Sequence, residues 1–335
     1  MATLFGLLAP FSWCESGQLR AHGPAPFALL ESEIRDSQPA LNPLDDASIS
    51  YPYDGVTREY LSAPAAPPSI LDGGAPDLAS TEDPWSVQAL PSGLIYRSYL
   101  AGQKESRFAS TWVNERDWGW IWDIAIGGRV GLVRYGSEAP DFPEGVQVDL
   151  EGAAFPRLDL EHKEDVIATD FRFGMPISFG NRRFQTKLAV YHLSSHLGDE
   201  YMIRWETLDR INYSRNVLVW GNSFYWTDEL RLYAEAGWAF YAVGGSEPWE
   251  FQFGAEYAPS APTGLRPAPF LAVNTHLREE VDFGGNLVLQ TGWAWRGVAG
   301  QLFRAGMQYY TGKSDQYEFY DQFEDKIGFG LWYDY

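Results

Sequence analysis

The chain has 335 residues, 45% of them hydrophobic and 16% aromatic, with 14 Trp, 19 Tyr and a formal net charge of −20. So acidic a balance excludes a phosphate-tracking nucleic-acid binder, which needs a basic footprint. The single cysteine, Cys14, excludes an intrachain disulfide and a thiolate metal cluster.

Taken in chain order, the first segment is residues 1–22, a possible signal or apolar leader. Ala2 to Trp13 is a short apolar run, but it lacks a basic flank and a clear small-x-small cleavage site. Trp13 is too large to precede a lipoprotein cysteine at Cys14. Residues 23–91 form a second texture. They hold most of the prolines, in runs such as Ala63-Pro-Ala-Ala-Pro-Pro68 and Leu71-Asp-Gly-Gly-Ala-Pro76, and show no periodicity. A segment that buries so little apolar surface does not offset its ordering entropy, so a disordered periplasmic extension is expected there.

Residues 92–335 carry the fold. No run of eighteen apolar residues occurs, so no ordinary membrane-crossing helix is expected. Instead the pattern has period two. Ile167, Phe171, Phe173 and Met175 alternate with Asp170 and Arg172. From Phe184 to Ser194, Leu188, Val190, His192 and Ser194 share one face, with Gln185 and Lys187 opposite. Leu230, Leu232, Ala234, Ala236, Trp238 and Phe240 oppose Arg231, Tyr233, Glu235, Gly237, Ala239 and Tyr241. Trp249, Phe251, Phe253 and Tyr257 oppose Glu250 and Glu256; Leu287, Leu289, Trp293 and Trp295 oppose Gln290 and Arg296; Phe303, Met307 and Tyr309 oppose Arg304 and Gln308. These are strands with one apolar face and one charged face. The apolar faces end repeatedly in aromatics, as strands do when they cross lipid between aromatic girdles.

The expected fold is therefore all-β: a closed antiparallel transmembrane β-barrel in a bacterial outer membrane. Closure removes the edges that lipid cannot solvate. About twenty residues per strand and turn gives about twelve strands, with ten or fourteen as alternatives. The chain's end reads the same way. Ile327, Phe329, Leu331, Tyr333 and Tyr335 alternate around Gly328 and Gly330. This resembles the C-terminal insertion signal of outer-membrane barrels, which implies the barrel-assembly machinery as a partner. The whole 92–335 region also resembles the bacterial domain-of-unknown-function family DUF1207. The resemblance lies in Tyr96-Arg-Ser-Tyr-Leu-Ala-Gly102, Gly127-Gly-Arg-Val-Gly-Leu132, Glu151-Gly-Ala-Ala-Phe-Pro-Arg-Leu-Asp-Leu160, Tyr191-His-Leu-Ser-Ser-His-Leu-Gly-Asp-Glu200 and Lys313-Ser-Asp-Gln-Tyr317. It implies a barrel and brings no activity.

Chemistry concentrates in one stretch. His192 and Ser194 project from the lipid-facing side near a strand end, where polar groups are out of place. An imidazole beside a hydroxyl can activate it as a nucleophile, provided a third group orients the ring. The His-x-Ser pair, with Glu206 twelve positions beyond Ser194, is similar to the pattern of outer-membrane lipid acyl hydrolases: the lipid A 3-O-deacylase with His, Ser and Glu, and the phospholipase A with His, Ser and Asn. By that resemblance His192 is the base, Ser194 the nucleophile and Glu206 the orienting group. Asp199, Glu200 or Asn212 are the alternatives to Glu206, and Ser195 stands where those enzymes usually carry Asn. No phosphate loop, dinucleotide motif or zinc-protease helix is present, so no cofactor is expected. The one cation the stretch suggests is calcium, near His192, His196, Asp199 and Glu200. Three functions follow: a structural or small-pore barrel with a charged lumen, a serine-type lipid acyl hydrolase acting on outer-membrane lipids, or a soluble β-domain that binds lipid or sugar.

Overall fold

The computed structural model describes residues 85–139 and 141–335; the leader and most of the Pro-rich extension lie outside them. Thirteen strands form one antiparallel sheet. They are β1 (Ser86–Ala89), β2 (Phe108–Glu115), β3 (Gly119–Gly136), β4 (Gly145–Asp159), β5 (Asp165–Gly180), β6 (Phe184–Leu197), β7 (Ser214–Tyr225), β8 (Leu230–Val243), β9 (Trp249–Tyr257), β10 (Ala268–Arg278), β11 (Gly285–Arg296), β12 (Leu302–Lys313) and β13 (Phe323–Asp334). A short helix, α1 (Asp199–Arg204), lies between β6 and β7. From β2 to β13 each strand pairs with its sequence neighbour, and β13 returns to pair with β2 through Lys326–Glu115 to Tyr333–Phe108. The result is a closed twelve-stranded barrel. β1 is extra: it pairs with the end of β3 at Val133–Gly136, further along the edge that β2 occupies at Gly119–Ala125. β1 lies within residues 23–91, the segment that composition alone assigns to the extension.

The two faces are those of a protein turned inside out. The outer positions carry Val130, Phe171, Phe173, Met175, Leu188, Val190, Leu218, Trp220, Trp238, Phe329 and Leu331, all exposed. The inner positions carry charge: Arg134, Arg215, Arg231, Arg278 and Arg304 are fully buried. Nearly every such charge is paired. Arg129 meets Asp149, Lys187 meets Glu235 at 2.6 Å, Arg231 meets Glu256 at 2.8 Å and Arg304 meets Asp334 at 2.9 Å. Arg157 reaches Asp123, Asp315 and Glu324 together. Buried charges are tolerated on these terms only, because each lost hydration shell is replaced by an opposite charge or a hydrogen bond.

Between β1 and β2 the chain does not add a strand. Residues 92–107 lie inside the barrel as a plug. Tyr99 stacks on Tyr233, with ring centres 3.9 Å apart, and its hydroxyl donates to Glu235. The Leu100 amide donates to Glu256, and Arg304 donates to the Leu100 carbonyl. Arg231 donates to the Arg97 carbonyl, and Lys104 pairs with Asp170 at 2.7 Å. The lumen arginines therefore satisfy backbone carbonyls that would otherwise be buried alone.

Period-two reading places most side chains on their observed faces, with three β-bulges as exceptions. The β7–β8 register slips at Phe240, so Tyr241, inward by parity, pairs with Asn216 and stands exposed on the outer face. The β4–β5 register slips at Ile167, which leaves it unpaired and turns it inward against Val113, Ile121 and Phe319, away from the outer face that Phe171 and Phe173 occupy. The β3–β4 register slips at Leu132, so Arg134 faces the lumen and binds Gln147 and the Ser92 and Gly93 carbonyls.

Candidate functional site

The site forms where β5, β6 and β7 lie side by side. Two cross-strand rows define it: Phe171, Ser194 and Ser214 in one, and Phe173, His192 and Asn216 in the next. Directly opposed residues on one face of an antiparallel pair hold their Cβ atoms about 5 Å apart, so His192 and Asn216 are in reach without any distortion. His192 Nδ1 and Asn216 Oδ1 are 2.7 Å apart. With the amide oxygen accepting, Nδ1 carries the proton and Nε2 keeps a free lone pair, which is the tautomer a general base needs. Ser194 follows His192 by two residues, so it projects from the same outer face. The two side chains are not hydrogen-bonded to each other in this structure. Catalytic contacts of this kind are often loose before substrate arrives.

His192 and Ser194 thus face outward as their strand parity requires, while Glu206 is not gathered with them. It lies on the exposed loop after α1, with φ +47°. The reason is the length of the β6–β7 connection. Residues 198–213 form a helix and a loop instead of a tight turn, so β7 begins at Ser214 and its register brings Asn216 to the imidazole. Asp199 and Glu200 sit exposed in the first turn of α1, and Asn212 lies in the loop. The sequence carried a signal for Asn216. It is a polar residue on the face that presents Leu218 and Trp220, the same anomaly that singles out His192.

The other histidines among the described residues make different contacts. His196 also points outward and packs edge-on against Phe171 at 5.7 Å. His162 pairs with Asp159 in the β4–β5 turn, and His276 pairs with Glu250 in the lumen. Among the described residues no three His, Cys, Asp or Glu side chains converge on a point that could hold a metal ion. Ser195 faces inward, bonded to Asp170, and accepts from the Glu318 amide. Glu318 in turn accepts from the Ile211 amide at 3.0 Å and ties the β6–β7 loop to the barrel mouth; burial raises its carboxyl above the usual range.

Beside this row lies a concavity of about 380 Å³ on the outer face, bordered by Ile126, Gly152, Ala154, Phe171, Phe173 and His192.

A family model described as "Protein of unknown function (DUF1207)" matches residues 75–335. No curated protein matches the sequence. Among solved structures the chain is similar in fold to outer membrane phospholipase A from Escherichia coli, at 9% identity and a TM-score of 0.46, over 68% of this chain and 89% of that one. It is likewise similar to the outer membrane phospholipase of Salmonella typhi, solved as a dimer with bound calcium, at 9% identity and a TM-score of 0.48, over 71% of this chain and 91% of that one.

Proposed function

The chain belongs to the DUF1207 family, whose description assigns no activity, and from the geometry we propose that it is an outer-membrane lipid acyl hydrolase that acts from the outer face of its barrel. The observation that carries this reading is the 2.7 Å contact between His192 Nδ1 and Asn216 Oδ1 beside an outward Ser194. The inverted faces support a membrane setting: exposed side chains on the outer belt are apolar and aromatic, and the interior is charged. A soluble β-domain would show the reverse.

The chemistry follows the serine hydrolase scheme. Ser194 Oγ attacks the carbonyl carbon of a lipid ester while His192 Nε2 takes the hydroxyl proton. Asn216 holds the ring in the tautomer that leaves Nε2 free and fixes its plane. The tetrahedral intermediate collapses, and the imidazolium returns the proton to the departing alcohol. Water, activated by the same nitrogen, then releases the fatty acid from Ser194. The pairing is His, Ser and amide, with Asn216 in the role that the sequence pattern gives to Glu206.

The pore reading has less support, because the plug at residues 92–107 fills the lumen and is bonded to opposite walls of the barrel. The test is acyl release from phospholipid and from lipid A in mixed micelles. Ser194→Ala is expected to reduce release by about 10³-fold or more. Asn216→Ala removes one neutral hydrogen bond worth about 1 kcal/mol, or roughly fivefold in rate. Equal release by wild type and Ser194→Ala sinks the proposal.

A further inference from the structure

The concavity beside His192 has an origin in the sequence of β4. Along its outer face this strand presents Val146, Val148, Leu150, Gly152, Ala154, Pro156 and Leu158. Gly152 and Ala154 are consecutive outward positions, and they are the two smallest. Their neighbours across the sheet are large at all but one position: Ala154 pairs with Ile126 on one side and Phe171 on the other, and Gly152 pairs with Phe173 on the β5 side and with Gly128 on the β3 side. The belt is therefore notched along β4 and walled by Ile126, Phe171 and Phe173. The notch opens toward the next row, where Phe173 pairs with His192. Its floor is backbone around Ala153 and Arg172, whose side chains face the lumen. His192 is the one polar side chain at its outer edge.

Gly152 is not required by the backbone. A Cβ added there would meet the Arg172 carbonyl and a Phe173 ring carbon at 3.6 Å each, which is ordinary contact, and its φ is not in the left-handed region. Other inner and edge glycines of the barrel behave differently: at Gly136 and Gly198 an added Cβ would stand 1.8 Å from a carbonyl oxygen. The small residue at 152 thus leaves space that the fold itself does not use.

We propose that this notch is an acyl-chain site: one fatty acyl tail of a membrane lipid lies along β4 between Ile126 and Phe171/Phe173, and this sets its ester beside His192 and Ser194. The occupant follows from position and lining. The notch is continuous with the apolar outer belt, holds no charged side chain on its walls, and ends at the candidate base. Its volume is at the lower end for small-ligand pockets, which suits a single chain. The proposal names the substrate class of the hydrolase reading and rests on it for its catalytic part; the binding part stands separately.

The experiment has two arms on the full chain. In the first, Ser194→Ala protein is placed in phosphatidylcholine vesicles with a trace of phospholipid that carries a diazirine in one acyl chain. After photolysis, labelled residues are mapped by mass spectrometry. The expected result is labelling of Ile126, Phe171 and Phe173 at least fivefold above Leu287, Leu289 and Met307 on the β11–β12 belt, and loss of that excess when Gly152→Leu is added. Ala154→Phe fills the same notch and is the second variant; folding of each is checked by the mobility shift of unheated against heated barrel. Uniform labelling, or an excess that survives both variants, overturns the proposal. In the second arm, Gly152→Leu in the Ser194 protein is expected to raise KM about tenfold for long-chain esters and to leave butyryl esters unchanged. If no ester is cleaved by any form, the hydrolase reading fails while the labelling arm still decides the acyl site. If cleavage depends on Ser194 but labelling is uniform, the site fails and the hydrolase stands.

Discussion

Replacing Arg157 with Met tests how the charged interior is held together. Arg157 donates four hydrogen bonds to three carboxylates: Asp123 at 2.6 and 3.1 Å, Glu324 at 2.5 Å and Asp315 at 2.9 Å. Lys326 serves the same carboxylates, with contacts of 2.7 Å to Asp315, 2.6 Å to Glu324 and 3.4 Å to Asp123. Methionine fills the stem volume of arginine, so packing is largely kept and charge is what changes. Removing one partner of a buried ion pair costs about 3–5 kcal/mol, because the remaining charge has lost its compensation. Lys326 still bridges all three acids, which puts the expected loss near the lower bound, about 3 kcal/mol. Adding Glu324→Gln removes one surplus negative charge and should return about 1–2 kcal/mol, a coupling within the range for residues in one network. The assay is guanidinium unfolding of the detergent-embedded barrel followed by tryptophan fluorescence, with the double-mutant cycle of Arg157→Met, Glu324→Gln and both. A single variant within about 1 kcal/mol of wild type, well below the cost of breaking a buried pair, or a double variant no more stable than Arg157→Met, would refute the reasoning.

Other outcomes follow from the same structure. Leu188→Arg, on the exposed outer face of β6, should destabilise by about 2–4 kcal/mol if that face meets the bilayer interior; the same unfolding assay in lipid vesicles checks it, and a neutral result would argue against a lipid-facing β6. Purified protein in planar bilayers should be electrically silent, because residues 92–107 occupy the lumen; regular conductance steps in wild type would contradict a bonded plug. Burial alone would raise the Asp315 carboxyl, but Lys326, Arg157 and Lys104 outweigh it and hold it well below the usual carboxylate range. A depressed carboxylate contributes stability that is fully present above its unfolded pKa, about 3.9, and is lost as pH falls through the lower folded value. The stability difference between wild type and Asp315→Asn should therefore be constant from pH 7 to about pH 5 and shrink only below about pH 4; shrinkage that begins near pH 6 would show that these cations do not control Asp315.

The sequence by itself determined the faces. A strand's period of two is local, so alternation alone sends Leu188, Val190, His192 and Ser194 outward and Gln185 and Lys187 inward, and it does the same along β9, β11, β12 and β13 and along β8 up to the bulge at Phe240. Together with lipid's intolerance of open edges it leads to a closed barrel of about twelve strands. Tertiary structure decided everything that depends on register. Ile167 reads as outward by parity and turns inward because a bulge resets the count, and a bulge is a property of two paired strands, not of one. Residues 92–107 read as the start of the barrel and instead lie inside it, because their partners, Asp170, Arg231, Glu235, Glu256 and Arg304, become neighbours only once the barrel closes. The partner of His192 is Asn216 and not Glu206 for the same reason: the length of the β6–β7 connection and the pairing of the two strands choose which residue returns beside the imidazole. The notch along β4 is likewise invisible in the chain, since Gly152 and Ala154 are only small until Ile126, Phe171 and Phe173 stand on either side of them.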